Sequence, residues 1–125
     1  MTYLCTSNQQ MTHTSNISID VMLDAERVPE QINWRATDST ANMDQKAKAM
    51  MLAFWDAADK SALRIDLWTK DMMVDEMADF YYQVLMTMAD TFQRATNQPE
   101  ITAGMKAYAK DFLQQFRQEQ LKQNP

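Results

Sequence analysis

The stretch Leu63–Met77, LRIDLWTKDMMVDEM, changes period in its middle. Leu63-Arg64-Ile65-Asp66-Leu67-Trp68 alternates large apolar with mostly polar residues, the period of two that a half-buried strand requires. Asp71 then offers an N-cap oxygen. From Met73 the apolar positions fall at 73, 77, 80, 81, 84, 85, 88 and 92, the stripe of a long amphipathic helix. The segment reads as a strand that turns sharply into a helix.

Upstream, Asn16–Asp24 alternates with Ile17, Ile19, Val21 and Leu23 on one face and Ser18, Asp20 and Met22 on the other. Ile32–Thr37 reads as a second strand with Ile32, Trp34 and Ala36 inward. The connection between them contains Pro29 and is too short for a parallel crossover, so the pair is an antiparallel hairpin. Trp34 shares its face with Ile32 and Ala36, opposite Ile19 and Val21, and should be largely buried. Gln45–Ala58 reads as a helix with Ala47, Met50, Met51 and Phe54 on one face. Downstream, Asn97-Gln98-Pro99 breaks the second helix, and Ile101, Met105, Tyr108, Phe112 and Phe116 mark a last one. The expected fold class is α+β: a three-stranded antiparallel sheet (about Asn16–Leu23, Ile32–Thr37 and Ala62–Trp68) covered on one face by helices, in the order ββαβαα. Met1–Ser15 reads as a disordered polar leader, 16–122 as one domain and 123–125 as a tail.

A chain of 125 residues fits one domain able to bury roughly two-thirds of its unfolded surface. The net charge of −5 argues against nucleic acid and against an anionic membrane surface. One cysteine, Cys5, allows no intrachain disulfide and favours a reducing compartment. The start MTYLCTSNQQMTHTSN has no basic n-region and no apolar h-region, and no apolar run approaches a membrane span. A cytoplasmic location is expected, with no direct membrane insertion.

The histidine and cysteine content limits the chemistry. His13, the one histidine, lies in the leader, so no His-based metal site, triad or Cys–His pair fits the core. Gly104 is the one glycine, which removes both the GxGxxG and P-loop phosphate cradles. No cofactor is expected. Carboxylates remain near the strand–helix corner, and Asp66, Asp71 and Asp75 could form a small ligand-binding or hydrolytic site. Their ordinary role is different: acidic groups in a first helical turn cap free amides and oppose the positive dipole end.

Twelve methionines are the compositional outlier. Met50, Met51, Met73, Met77, Met88 and Met105 fall on inward faces, where a flexible thioether fills gaps. Met22 and Trp68 instead fall on the polar side of the sheet, with Asp20, Arg35, Arg64 and Asp66. Leu52 and Trp55, and likewise Tyr82 and Met86, fall off their helices' main stripes. Large apolar side chains on a polar face mark a partner surface unless a terminal helix covers them. The candidate contact surface is therefore Met22, Arg35, Arg64, Asp66, Trp68, Tyr82 and Met86.

AKAMMLAFWD (Ala47–Asp56) followed by LRIDLWTKDMMVDEM, with LDAERVPEQINWRATD (Leu23–Asp38) before and MADTFQRAT (Met88–Thr96) after, resembles the gliding motility-associated protein GldC family of the Bacteroidetes. The chain departs from that pattern in its long polar leader and at Met73, where a proline often follows the Asp-Met step. The resemblance implies a small cytoplasmic accessory protein that supports gliding through contact with a companion gliding lipoprotein. It implies no reaction and carries over no catalytic residue. A homo-oligomer is possible but not indicated.

Overall fold

The computed structural model describes residues 12–123. Cys5, most of the expected leader and the end of the expected tail lie outside the described residues. Five strands are followed by two helices: β1 (Ile17–Leu23), β2 (Pro29–Ala36), β3 (Gln45–Ala47), β4 (Ala49–Asp56), β5 (Ser61–Trp68), α1 (Val74–Thr96) and α2 (Pro99–Gln123). The class is α+β. The chain divides at Met72/Met73 into a sheet unit and a helical unit.

In the sheet unit, β1 and β2 form the expected antiparallel hairpin, with Ile19 opposite Trp34 and Val21 opposite Ile32. Asp24 builds its turn. The Asp24 carboxylate accepts from the amides of Glu26 (2.8 Å) and Val28 (2.9 Å), while Arg27 takes a left-handed φ of 63°. Lys70 braces the turn end of the hairpin, with its Nζ 3.2 Å from Asp24 and 2.8 Å from Glu30. At the far end, Asp38 accepts from the Ser15 hydroxyl and lies 2.8 Å from His13 Nε2, so residues 13 and 15 are held against the hairpin. Ile32 is the buried residue of this sheet, at 1% exposure, whereas Trp34 is half-buried and not the core residue expected. Both lie on the central strand with ladder neighbours on each side, Val21 and Ala47 for Ile32, Ile19 and Gln45 for Trp34, but Trp34 lies nearer the open end of the β1–β2 hairpin.

The helix expected over Gln45–Ala58 is not formed. Gln45–Ala47 pairs with β2, and Ala49–Asp56 pairs with β5, so one extended run changes partners at Lys48. The single three-stranded sheet of the expected order ββαβαα becomes two sheets, β1-β2-β3 and β4-β5. Ala, Met and Leu favour helix intrinsically, and Ala49–Asp56 is apolar at every position but its last, without period-two alternation, so it is the pairing with Ser61–Trp68 that overrides the propensity. The hairpin turns through Asp56, whose carboxylate accepts from the amides of Ala58 (2.9 Å) and Asp59 (3.1 Å), with Lys60 at φ 52°.

The helical unit is an antiparallel hairpin of α1 and α2. Asp71 is not the N-cap of α1. Met73 holds that position, and the Glu76 carboxylate reaches back 3.1 Å to its amide as the acidic half of a capping box. Asn97, in the left-handed region at φ 53°, ends α1 by donating its amide 2.8 Å to Gln93 O. Small buried residues, Ala78 and Ala89 on α1 and Ala109 on α2, let the backbones approach. Between the helices, Lys106 pairs with Asp90 at 2.7 Å, Thr102 Oγ1 donates 2.9 Å to Gln93 Oε1, and the Tyr81 and Phe112 rings stack at 6.4 Å.

Candidate protein-contact surface

The β4–β5 ribbon concentrates exposed apolar area. Residues opposite one another in an antiparallel ladder share a face. The pairs Met50–Leu67, Leu52–Ile65 and Phe54–Leu63 therefore make one face apolar up to the polar Asp56–Ser61 pair at the turn. Of these, Phe54, Leu63 and Ile65 are each at least half exposed, at 59%, 54% and 50%. The other face pairs Ala49 with Trp68, Met51 with Asp66, Ala53 with Arg64 and Trp55 with Ala62. Trp55 is 69% exposed and Trp68 57%. Between them along the ribbon, Arg64 donates to Asp66 at 3.0 Å. Two indoles thus flank an ion pair on a surface open to solvent, the composition that favours interface anchors.

The expected contact residues do not share one face. Trp68, Arg64 and Asp66 lie together on the ribbon. Met22, 42% exposed, and Arg35 lie on the polar face of the three-stranded sheet. There Arg35 pairs with Asp44 at 4.0 Å, beside a shallow concavity of about 340 Å³ lined by Ser18, Asp20, Asn33 and Trp34. Asp20 and Arg35 therefore share no ladder with Arg64 and Asp66, because β5 pairs with β4 and not with β1 or β2. Tyr82 and Met86 are half-buried on α1; the exposed large apolar side chains there are Val74, Tyr81 and Met88, spaced by seven residues. Met73 and Met88, expected inward, are exposed as well. Phe54 and Trp55 fall outside the expected contact set because β4 reads as a helix, and Leu63 and Ile65 because their side of β5 reads as the covered face of the sheet. In Ala49–Trp55 the sequence offers a continuous apolar run, which a strand and a helix share, so no local signal separates the two.

The carboxylate reading loses support at each position. Asp66 is engaged by Arg64. Asp71 accepts from the Thr69 hydroxyl, and that hydrogen bond holds its carboxyl below the usual carboxylate value, opposite to what a general acid needs. Thr69, 2% exposed, also ties its amide to Lys48 O at 2.7 Å, so the Thr69–Asp71 contact serves the strand end. Asp75 lies in the first turn of α1, where it opposes the positive dipole end. Among the described residues no group of three or more His, Cys, Asp or Glu is placed to hold a metal ion. Among them, too, no helix is long and apolar enough to cross a membrane.

Comparison with known proteins yields a family model, gliding motility-associated protein GldC-like, that matches residues 29–118. No curated protein and no solved structure matches this chain. The matched span runs from the first residue of β2 through most of α2, and so takes in the whole β4–β5 ribbon.

Proposed function

The chain belongs to the GldC-like family of gliding motility-associated proteins, and from that premise we propose that it acts without catalysis, as an accessory protein that contacts a membrane-linked component of the gliding machinery. The observation that carries this reading is the face of the β4–β5 ribbon on which Trp55 and Trp68 stand 69% and 57% exposed around the Arg64–Asp66 pair. Exposed indole is costly in water and is the favoured anchor of interface hot spots, while the charged pair between the rings supplies orientation. A cytoplasmic site of action accords with a sequence that carries a single cysteine, Cys5, and with the family's association with gliding.

The test is affinity capture of the full chain from cytoplasmic and membrane fractions of a gliding host. Trp68→Ala should abolish recovery of the membrane-linked protein and leave the fold intact. Equal recovery with the variant defeats the reading.

A further inference from the structure

We infer that β5 is a self-association edge, pairing antiparallel with β5 of a second copy of this chain about a two-fold axis at Ile65. Among the described residues β5 has one ladder partner, β4, so its other edge carries eight residues with neither proline nor glycine to blunt it. A two-stranded ribbon is marginal in water, and stability comes with further strands.

The occupant is written in the charge order of the strand. Leu63-Arg64-Ile65-Asp66-Leu67 is complementary to its own reverse. With the axis at Ile65, each Arg64 stands opposite the second copy's Asp66, each Leu63 opposite a Leu67, and Ile65 opposite itself. Moving the axis to Arg64 sets arginine against arginine; moving it to Asp66 sets aspartate against aspartate. Like charges directly opposite destabilise a ladder, and opposite charges support it. A slip that exchanges the faces would set the leucines against the charges. The sequence thus selects one register, and the partner it selects is the same strand. The resulting sheet, β4-β5-β5-β4, joins the apolar faces of Phe54, Leu63 and Ile65 into one surface. Trp68 falls opposite Ala62, whose small side chain leaves room beside the indole. Association with a gliding component is a separate contact, read by capture and not by self-assembly.

The experiment is sedimentation velocity on the full chain from about 1 µM to 1 mM, with circular dichroism on each variant. Wild type should pass from monomer to dimer across that range. Arg64→Asp and Asp66→Arg should each weaken the dimer by about tenfold or more. An equimolar mixture of the two variants should recover association as a heterodimer, and the double reversal Arg64→Asp/Asp66→Arg should dimerise like wild type. A wild type that stays monomeric throughout overturns the inference, as does a dimer indifferent to the single reversals. If the single variants do not fold, the double reversal decides: a dimer supports the register and a monomer overturns it.

Discussion

Replacing Ile32 by alanine should remove the one large apolar side chain that the sheet unit buries completely among the described residues. Ile32 is 1% exposed, on the middle strand of β1-β2-β3, with Val21 opposite on one side and Ala47 on the other. The substitution deletes roughly three carbons, worth about 2.4 kcal/mol at ~0.8 kcal/mol each. The hydrogen-bonded ladders on both sides limit collapse into the space, so a cavity contribution adds to the transfer loss, and a total of about 3–4 kcal/mol is expected. That is a large share of the ~5–15 kcal/mol that stabilises an ordinary domain. Ile32→Val should lose only about 1 kcal/mol. The assay is urea unfolding followed by tryptophan fluorescence, which reports the sheet unit because Trp34, Trp55 and Trp68 all lie in its strands. The midpoint should fall with the slope unchanged. A loss under about 1 kcal/mol for Ile32→Ala would show that the centre of β2 is not the core and would refute the sheet described here.

Gly104 lies inside α2 with nothing within 4 Å of the position a Cβ would take, so Gly104→Ala should stabilise the helical unit by about 0.5–1 kcal/mol, read by far-ultraviolet circular dichroism melts. Asn97 holds its left-handed φ of 53° at the end of α1 and accepts from Gln93 Nε2 at 3.1 Å. Asn97→Ala should therefore cost about 1 kcal/mol, and Asn97→Gly should cost less. The Asp24 carboxyl is held below the ordinary aspartate value, first by the Val28 amide and also by Lys70 and the Glu26 amide. A depressed carboxyl contributes stability that is present above its unfolded value and is lost as pH falls through the folded one. Asp24→Asn, which keeps an acceptor for the turn but removes the charge, should flatten the acid limb of a stability–pH profile below about pH 4. An unchanged limb would place the acid sensitivity elsewhere.

The elements with one dominant period were legible in the sequence. β1, β2 and β5 alternate cleanly, and α1 and α2 keep an apolar stripe between recognisable breaks at Asn97-Gln98-Pro99. Gln45–Asp56 was not, because Ala47, Met50, Met51 and Phe54 also satisfy helical spacing and are mostly helix formers. What decides it is the long-range pairing of Ala49 with Trp68 and of Asp56 with Ser61, which no local window contains. The turn at Asp56–Ser61 has no glycine or proline to announce it; an aspartate oxygen does that work. The error carried through to the candidate surface. Trp68, Arg64 and Asp66 were found because β5 was read as a strand. Phe54 and Trp55 were passed over with β4, and Tyr82 and Met86 were chosen from a helical phase that the α1–α2 packing shifts: Tyr81 stacks on Phe112 yet stays 41% exposed.

Trp68 carries the central claim, that this protein works by contact, and one paired measurement tests it. Trp68→Ala should change unfolding free energy by less than about 1 kcal/mol, since a ring 57% exposed leaves little cavity behind. In the same preparation, capture of the membrane-linked gliding component should disappear. Capture at the wild-type level, or a stability loss of about 3–5 kcal/mol as for a buried aromatic, would contradict the account.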